Sequence, residues 1–405
     1  MNAEQNNIKR QEPVKASSLA EFIIFLLFAL GPLTGNVILV LFGVLSAEFS
    51  VLPPELLIAI PSFMFPFAVV QLFSGAISDV KGRYPVILLG LSIFGIGMIV
   101  ASLSFSLIVF VIANVLAGIG FGFVNPVLIA LITDITPGPK ISKKIGLLGA
   151  VANLAVGLGP LLAGQIIILG WRYLYIIFAV ITGIGFIIIF SLKRNQPKNT
   201  SEMEIRKFFT HLGIEIRRPA VILLILSSLL VSHTSIASII WTSQSFTHVI
   251  PENISSVVLL LFGIMGFVSG YIAGITIKKR GIRLTLSTAL ISLIIGDIIL
   301  VIFGDNSFEA LVLTTTGLMF MGFAGGLLFT SLMYYSQTLS QERRGALAGL
   351  TTAGQFIGIA FVTMTLEPFF NFGGISLVYG AIFVISLILI IVLTILYILA
   401  KKILK

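Results

Sequence analysis

Cysteine is absent from the 405 residues, and histidine occurs only three times, as His211, His233 and His248. The first absence excludes disulfide frameworks, thiolate metal sites and a cysteine nucleophile. The histidines lie in separate segments without the spacing of a structural zinc site. Charge is also scarce, at 10% of residues. No Ser/His/Asp grouping, phosphate-binding Gly-x-x-x-x-Gly-Lys-Ser/Thr run or large soluble segment is present, which argues against an embedded enzyme, against ATP-driven work and against a cofactor.

What the chain has is apolar length. Apolar residues make up 57% of it, with a mean hydropathy of +1.12, a composition outside the range of soluble domains. Twelve apolar runs of about twenty residues, the length that crosses a bilayer core as helix, are centred near residues 32, 65, 94, 120, 155, 182, 231, 265, 293, 322, 356 and 387. The expected fold is an all-α membrane protein of twelve transmembrane helices, numbered here as spans 1 to 12. The first run follows Lys9, Arg10 and Lys15 and continues to about Leu45 without a small-residue cleavage site. It therefore reads as a span and not a removable signal peptide. With alternating spans and both termini inside, 24 of the 25 Lys and Arg residues fall in cytoplasmic segments, Arg172 being the exception. The net charge of +9 is then a topology signal, and no nucleic-acid partner is needed to explain it.

The expected organisation is a cytoplasmic tail (1–18), six spans (19–192), a cytoplasmic linker (193–218), six spans (219–400) and a cytoplasmic end (401–405). The linker is rich in charge, Pro, Asn and Ser, and its stretch "IRKFFTHLGIEI" suits a short amphipathic helix on the membrane surface. The halves repeat. "GAISDVKGR" after span 2 corresponds to "GITIKKRGIR" after span 8, with Gly82 and Gly281 offset by 199; Gly149 in span 5 corresponds to Gly349 in span 11, offset by 200. Duplicated six-span halves are a common plan of secondary transporters, with the substrate near the midplane between the halves.

On these residues the chain resembles the major facilitator superfamily. Gly75, Asp79, Gly82 and Arg83 match its first-half loop signature. "GLGPLLAG" in span 5, with Gly157, Gly159, Pro160 and Gly164, is similar to the antiporter signature of its exporters. With Gly35 and Asn36 in span 1, "WRYLYIIF" opening span 6 and "WTSQS" closing span 7, the resemblance points to the twelve-span drug:proton antiporter branch. It implies alternating access, a plasma-membrane location and a relay of Asp79, Arg83 and Asp134 that strengthens the closed inner gate. A carboxylate beside a helix N-terminus is favoured by about 0.3–1 kcal/mol when exposed, so Asp79 can dock on the start of span 11 near Arg344 and Gly345. A plainer reading is that these charges only stop the helices sliding into lipid.

Two departures from the resembled branch bear on coupling: Asn114 stands where relatives carry an arginine in span 4, and Val37 where they carry an acid in span 1. His233 in span 7 and Asp297 in span 9 remain as candidate proton-coupling groups, each with a structural role as the alternative. Small residues four apart in span 5 (Gly149, Asn153, Gly157) and span 8 (Gly266, Gly270, Gly274) suit close helix approach. Candidate cavity residues are Asn36, Asn114, Asn125, Asn153, Trp241, Gln244, Tyr334, Tyr335 and Gln355. Such a set suits neutral or lipophilic compounds, or cations over aromatic faces. The expectation is a monomer exporting small amphiphilic molecules, with the bilayer and a small-molecule substrate as partners and a proton as candidate coupling ion. An uptake symporter or facilitator for a neutral sugar or other small metabolite is the alternative.

Overall fold

A computed structural model describes residues 18–136, 141–193, 213, 215–247, 249–305, 307–340 and 344–403, and every regular element among them is a helix. In a bilayer a spanning segment must satisfy its own backbone hydrogen bonds, and helix does so within the segment. The first ten spans are Leu19–Val40, Pro53–Lys81, Arg83–Ser102, Leu107–Ile135, Leu147–Ile166, Trp171–Leu192, Pro219–Phe246, Glu252–Arg280, Ile282–Phe303 and Leu311–Thr338. The last helical stretch, Arg344–Ile403, has 60 residues. At 1.5 Å per residue that is about 90 Å, roughly three times the hydrocarbon core of about 30 Å. It breaks at Gly373 and at Gly374, whose φ of 65° and ψ of −160° no helix carries. Residues 344–372 and 375–403 are therefore spans 11 and 12, and the described residues hold the twelve crossings that hydropathy predicts.

The pseudo-repeat is visible in backbone and packing. Gly82 (φ 90°, ψ 153°) and Gly281 (φ 84°, ψ 164°) turn the chain in the same left-handed conformation, which a side chain would strain. In the first half span 4 packs on spans 2 and 3, span 3 on span 6, and span 1 on span 5; in the second half span 10 packs on spans 8 and 9, span 9 on span 12, and span 7 on span 11. The halves meet through span 5 on span 8 and span 2 on span 11, one contact made twice by repeat-related elements. Spans 3, 6, 9 and 12 are peripheral and turn apolar side chains such as Ile96, Ile187, Ile291 and Ile391 outwards, where lipid would solvate them.

One end of the bundle, the basic face, carries Lys81, Arg83, Lys144, Lys278–Arg280, Arg283 and Lys401. At the other end the helix of span 1 gives way after Asn36 to a 3-10 turn, Val37–Val40, with all four side chains buried. This turn packs on span 7, and the Ser243 hydroxyl donates to the Leu39 carbonyl. Arg172, the cation outside the basic pattern, is anchored at that end. It pairs with Glu48 at 2.8 Å, lies 4.4 Å from the Trp171 ring centre and donates to the Ser104 carbonyl at 2.8 Å. The tail before residue 18, His248 and most of the 193–218 connector with its expected surface helix lie outside the described residues. So do the side chains at 344 and 345, where the Asp79 latch would dock.

Candidate functional site

The turn after span 2 gathers the charges that sequence places near it. Arg83 opens span 3 directly after Gly82, so its guanidinium reaches back along span 2 and across to span 4. It donates to the Asp79 carboxylate, to Ser78 Oγ at 2.6 Å and to Asp134 Oδ2 at 3.0 Å. Ser78 in turn donates to the Gly75 carbonyl at 2.7 Å, which adds a hydroxyl to the constellation. Arg83 is partly buried and Asp134 is nearly half exposed. Ion pairs of that exposure contribute about 0–1 kcal/mol each, weak enough to be broken in a conformational cycle. A second pair at the same end joins Glu21 of span 1 to Lys144 of span 5 at 2.5 Å.

Along span 5, Gly157 meets the backbone of span 8. A Cβ added to Gly157 would lie 3.0 Å from Gly263 Cα, and one at Gly164 would lie 2.6 Å from Ser256 Oγ. Asn153, one turn from Gly157, sits beside Gly266 and Gly270 and ties its own amide to the Gly149 carbonyl at 3.0 Å. Gly159, beside the buried Pro160, faces the Leu33 backbone of span 1 instead. In span 8 the small-residue face is set one turn earlier than the 266–270–274 spacing suggests: Gly263 makes the closest approach, and Gly274 has open space around it. Rows of residues three and four apart share one helix face, so the contact follows the three-residue step from 263 to 266.

The interior of span 7 is polar without being charged. The helix loosens into a π-helical turn at Ser232–Ile236, a deviation often found at functional sites. This turn presents His233 to span 11. His233 Nδ1 lies 3.2 Å from the Leu229 carbonyl, so it must donate there; Nε2 lies 3.1 Å from Thr365 Oγ1. A neutral ring accepts from Thr365. A protonated ring donates to it, and the hydroxyl then turns to the Phe361 carbonyl, 2.9 Å away. Both protonation states are satisfied by rotating one hydroxyl. Ser232 also donates to the Gln355 carbonyl of span 11 at 2.8 Å.

The other candidate cavity residues are dispersed. Trp241 is wholly buried and packs on Phe370 at 5.0 Å; its indole N–H, like Gln244 Oε1, Asn125 Oδ1 and the Tyr335 hydroxyl, is buried with no hydrogen-bond partner among the described residues. Tyr334 neighbours Tyr335 in span 10 and is 36% exposed. Asn36 and Asn114 return their amides to their own helices, at Pro32 and Phe110. Val37 is buried in the 3-10 turn. Asp297 lies in the packing of spans 9, 10 and 12, away from the seam between halves, with the Ser386 hydroxyl of span 12 beside its carboxylate. Sequence reasoning missed the roles of Ser78, Gly263, Ser243 with Leu39, and Thr365; only Ser78 and Ser243 carried a signal, the first beside Asp79 and the second inside "WTSQS".

This arrangement of twelve helices, repeat-related turns and an Arg83 relay has known counterparts. The sequence profile of the Major Facilitator Superfamily matches residues 23–363. The chain belongs to that superfamily. Among the facilitators it is similar to the quinolone resistance protein NorA of Staphylococcus aureus, 25% identical over 75% of this chain and 79% of NorA. It is also similar to the multidrug resistance protein MdtL of Escherichia coli, 25% identical over 66% of this chain and 65% of MdtL. A solved D-xylose-proton symporter shares the fold, with a TM-score of 0.68 at 17% identity, covering 91% of this chain and 97% of that one. The protein is thus a multi-pass membrane transporter of the facilitator type.

Proposed function

We propose that this facilitator exports uncharged or amphiphilic small molecules across the plasma membrane by alternating access, with proton movement through His233 as the coupled event. The observation that carries the reading is the uncharged interior of span 7. From Ser232 to Phe246 it is lined with hydroxyls, amides and Trp241, and the only fully buried charged residues described are Glu215, at the start of span 7, and Asp297 at the periphery. A charged organic ligand placed there would lose hydration without gaining a counter-ion, at a cost of several kcal/mol. Amphiphiles meet aromatic faces and a few hydrogen-bonding groups. The kinship with NorA and MdtL, whose names record quinolone and multidrug resistance, supports export.

The basic face is taken as cytoplasmic, which places both termini inside. The Asp79–Arg83–Asp134 relay and the docking of Asp79 on span 11 are then the inner gate, and the Leu39–Ser243 contact the outer one. The working unit is a monomer, with no chemical conversion of the substrate. A second reading, uptake or facilitated passage of a neutral sugar or other small metabolite, rests on Val37 and Asn114, which leave no charge at either position usual for proton linkage. Reconstituted protein assayed with lipophilic dyes, quinolones and neutral sugars under pH gradients of both signs decides. Export predicts amphiphile flux that reverses with the gradient; sugar equilibration without a gradient, and no amphiphile flux, supports the second reading.

A further inference from the structure

The two repeat-related turns have opposite electrostatic fates. In the first, Arg83 is neutralised by Asp79 and Asp134. Aligned on Gly82 and Gly281, the second turn has Lys278 in place of Asp79 and Ile282 in place of Arg83, and the end of span 10 that corresponds to Asp134 reads "SLMYYSQT" without an acid. Lys278, Lys279, Arg280 and Arg283 therefore cluster at one turn, exposed, with no ion-pair partner among the described residues. Of these only Arg280 aligns with a cation of the first turn, Lys81, and no counter-charge is supplied among the described residues.

Immediately beside them lies a groove of about 330 Å³ between spans 8, 9 and 10. Its walls are Ile272, Ile275, Leu284, Phe323 and Leu327, and Lys279 and Arg280 stand at its basic end. Thr285 also lines it, is 1% exposed, and its hydroxyl has no hydrogen-bond partner. A mainly apolar groove that also carries Thr276 and Thr288, two cations without an ion-pair partner and a buried Thr285 hydroxyl without a hydrogen-bond partner among the described residues form one amphipathic ligand site. We propose that this groove binds an anionic glycerophospholipid. The phosphate sits between Lys279 and Arg280, the Thr285 hydroxyl donates to a phosphate or ester oxygen, and an acyl chain fills the apolar trough. Basic pockets between membrane helices recognise anionic head groups by this combination of charge and burial. A soluble anion would gain the charges but leave the trough empty, and a zwitterionic lipid would fill the trough but bring its own cation to a site that already has two.

The test is native mass spectrometry of the full chain, purified in neutral detergent and titrated with phosphatidylglycerol, phosphatidylcholine of the same acyl chains, or inorganic phosphate. The variants are Lys279→Gln/Arg280→Gln, Ile275→Trp to fill the trough with the cations kept, and Lys401→Gln/Lys402→Gln as a control for cations elsewhere on the basic face. Melting temperature in lipid-free detergent checks that each is folded, and Thr285→Val, close in shape, replaces any that is not. The expected result is one phosphatidylglycerol retained per chain, at least tenfold over phosphatidylcholine. That retention falls at least tenfold in both groove variants, persists in the control, and resists displacement by phosphate. Equal retention in the double variant and the control, native-like retention with Ile275→Trp, or displacement by inorganic phosphate would each overturn the proposal.

Discussion

His233 and Asp297 are both buried titratable groups, and their surroundings separate them. His233 faces span 11 within the second half, and the Thr365 hydroxyl can answer either protonation state. Asp297 is 1% exposed among spans 9, 10 and 12, with the Ser386 hydroxyl of span 12 as its polar neighbour. In everted vesicles, His233→Ala is expected to lower gradient-driven flux at least tenfold, while Asp297→Asn retains more than half. Thr365→Val falls with His233→Ala. Flux intact in a His233→Ala/Asp297→Asn double variant removes both residues from coupling. Asp79→Asn tests the other residue-scale claim. Since each pair is worth only about 0–1 kcal/mol, the variant should stay folded with a melting temperature close to native, yet lose transport and make the basic-face end of the cavity more accessible to a labelling reagent. Folded protein with unchanged flux and accessibility contradicts the gating role.

Among the elements, the seam between spans 5 and 8 shows how far pattern reading goes. Spacing by four in span 5 marked Gly149, Asn153 and Gly157 as one face; Asn153 and Gly157 do meet span 8, while Gly149 faces Phe329 of span 10. In span 8 the same rule chose Gly266, Gly270 and Gly274, but the closest partner is Gly263. Sequence identifies a smooth face but not the register at which two such faces meet, because that depends on the crossing of both helices. Contacts between distant spans were illegible for the same reason. Thr365, Ser243 and Leu39 lie in ordinary apolar or hydroxyl-bearing stretches, and only the assembled bundle makes them partners. By contrast, Gly82 next to Arg83 announced its turn, since a left-handed residue between two helices needs glycine. The register predicts a contrast: Gly263→Val overpacks the seam, at a cost of about 1–3 kcal/mol, with transport abolished. Gly274→Val, facing open space, keeps both melting temperature and flux. Equal effects at the two positions would show that the seam lies elsewhere.

For the whole molecule, the number of crossings and the duplication were readable because bilayer thickness fixes helix length and Lys and Arg mark one face. The merged 60-residue helix does not alter the count, since its break at Gly373 and Gly374 falls between the two apolar runs. What hydropathy leaves open is the state of the bundle, which on the proposed gating depends on a few contacts at its ends: Leu39–Ser243 at one face and the Arg83 relay at the other. The central claim is that these ends open in alternation. Because the chain has no cysteine, pairs can be introduced directly: Leu52 with Val249 at the face opposite the basic one, and Lys81 with Lys279 at the basic face, each spin-labelled in reconstituted protein. Pulsed dipolar distances measured with and without a transported amphiphile, at two pH values, test the claim most directly. The account predicts opposite shifts, with one pair lengthening as the other shortens, and loss of the reciprocity in Asp79→Asn. Two distances that move together, or that stay fixed while substrate is transported, would contradict it.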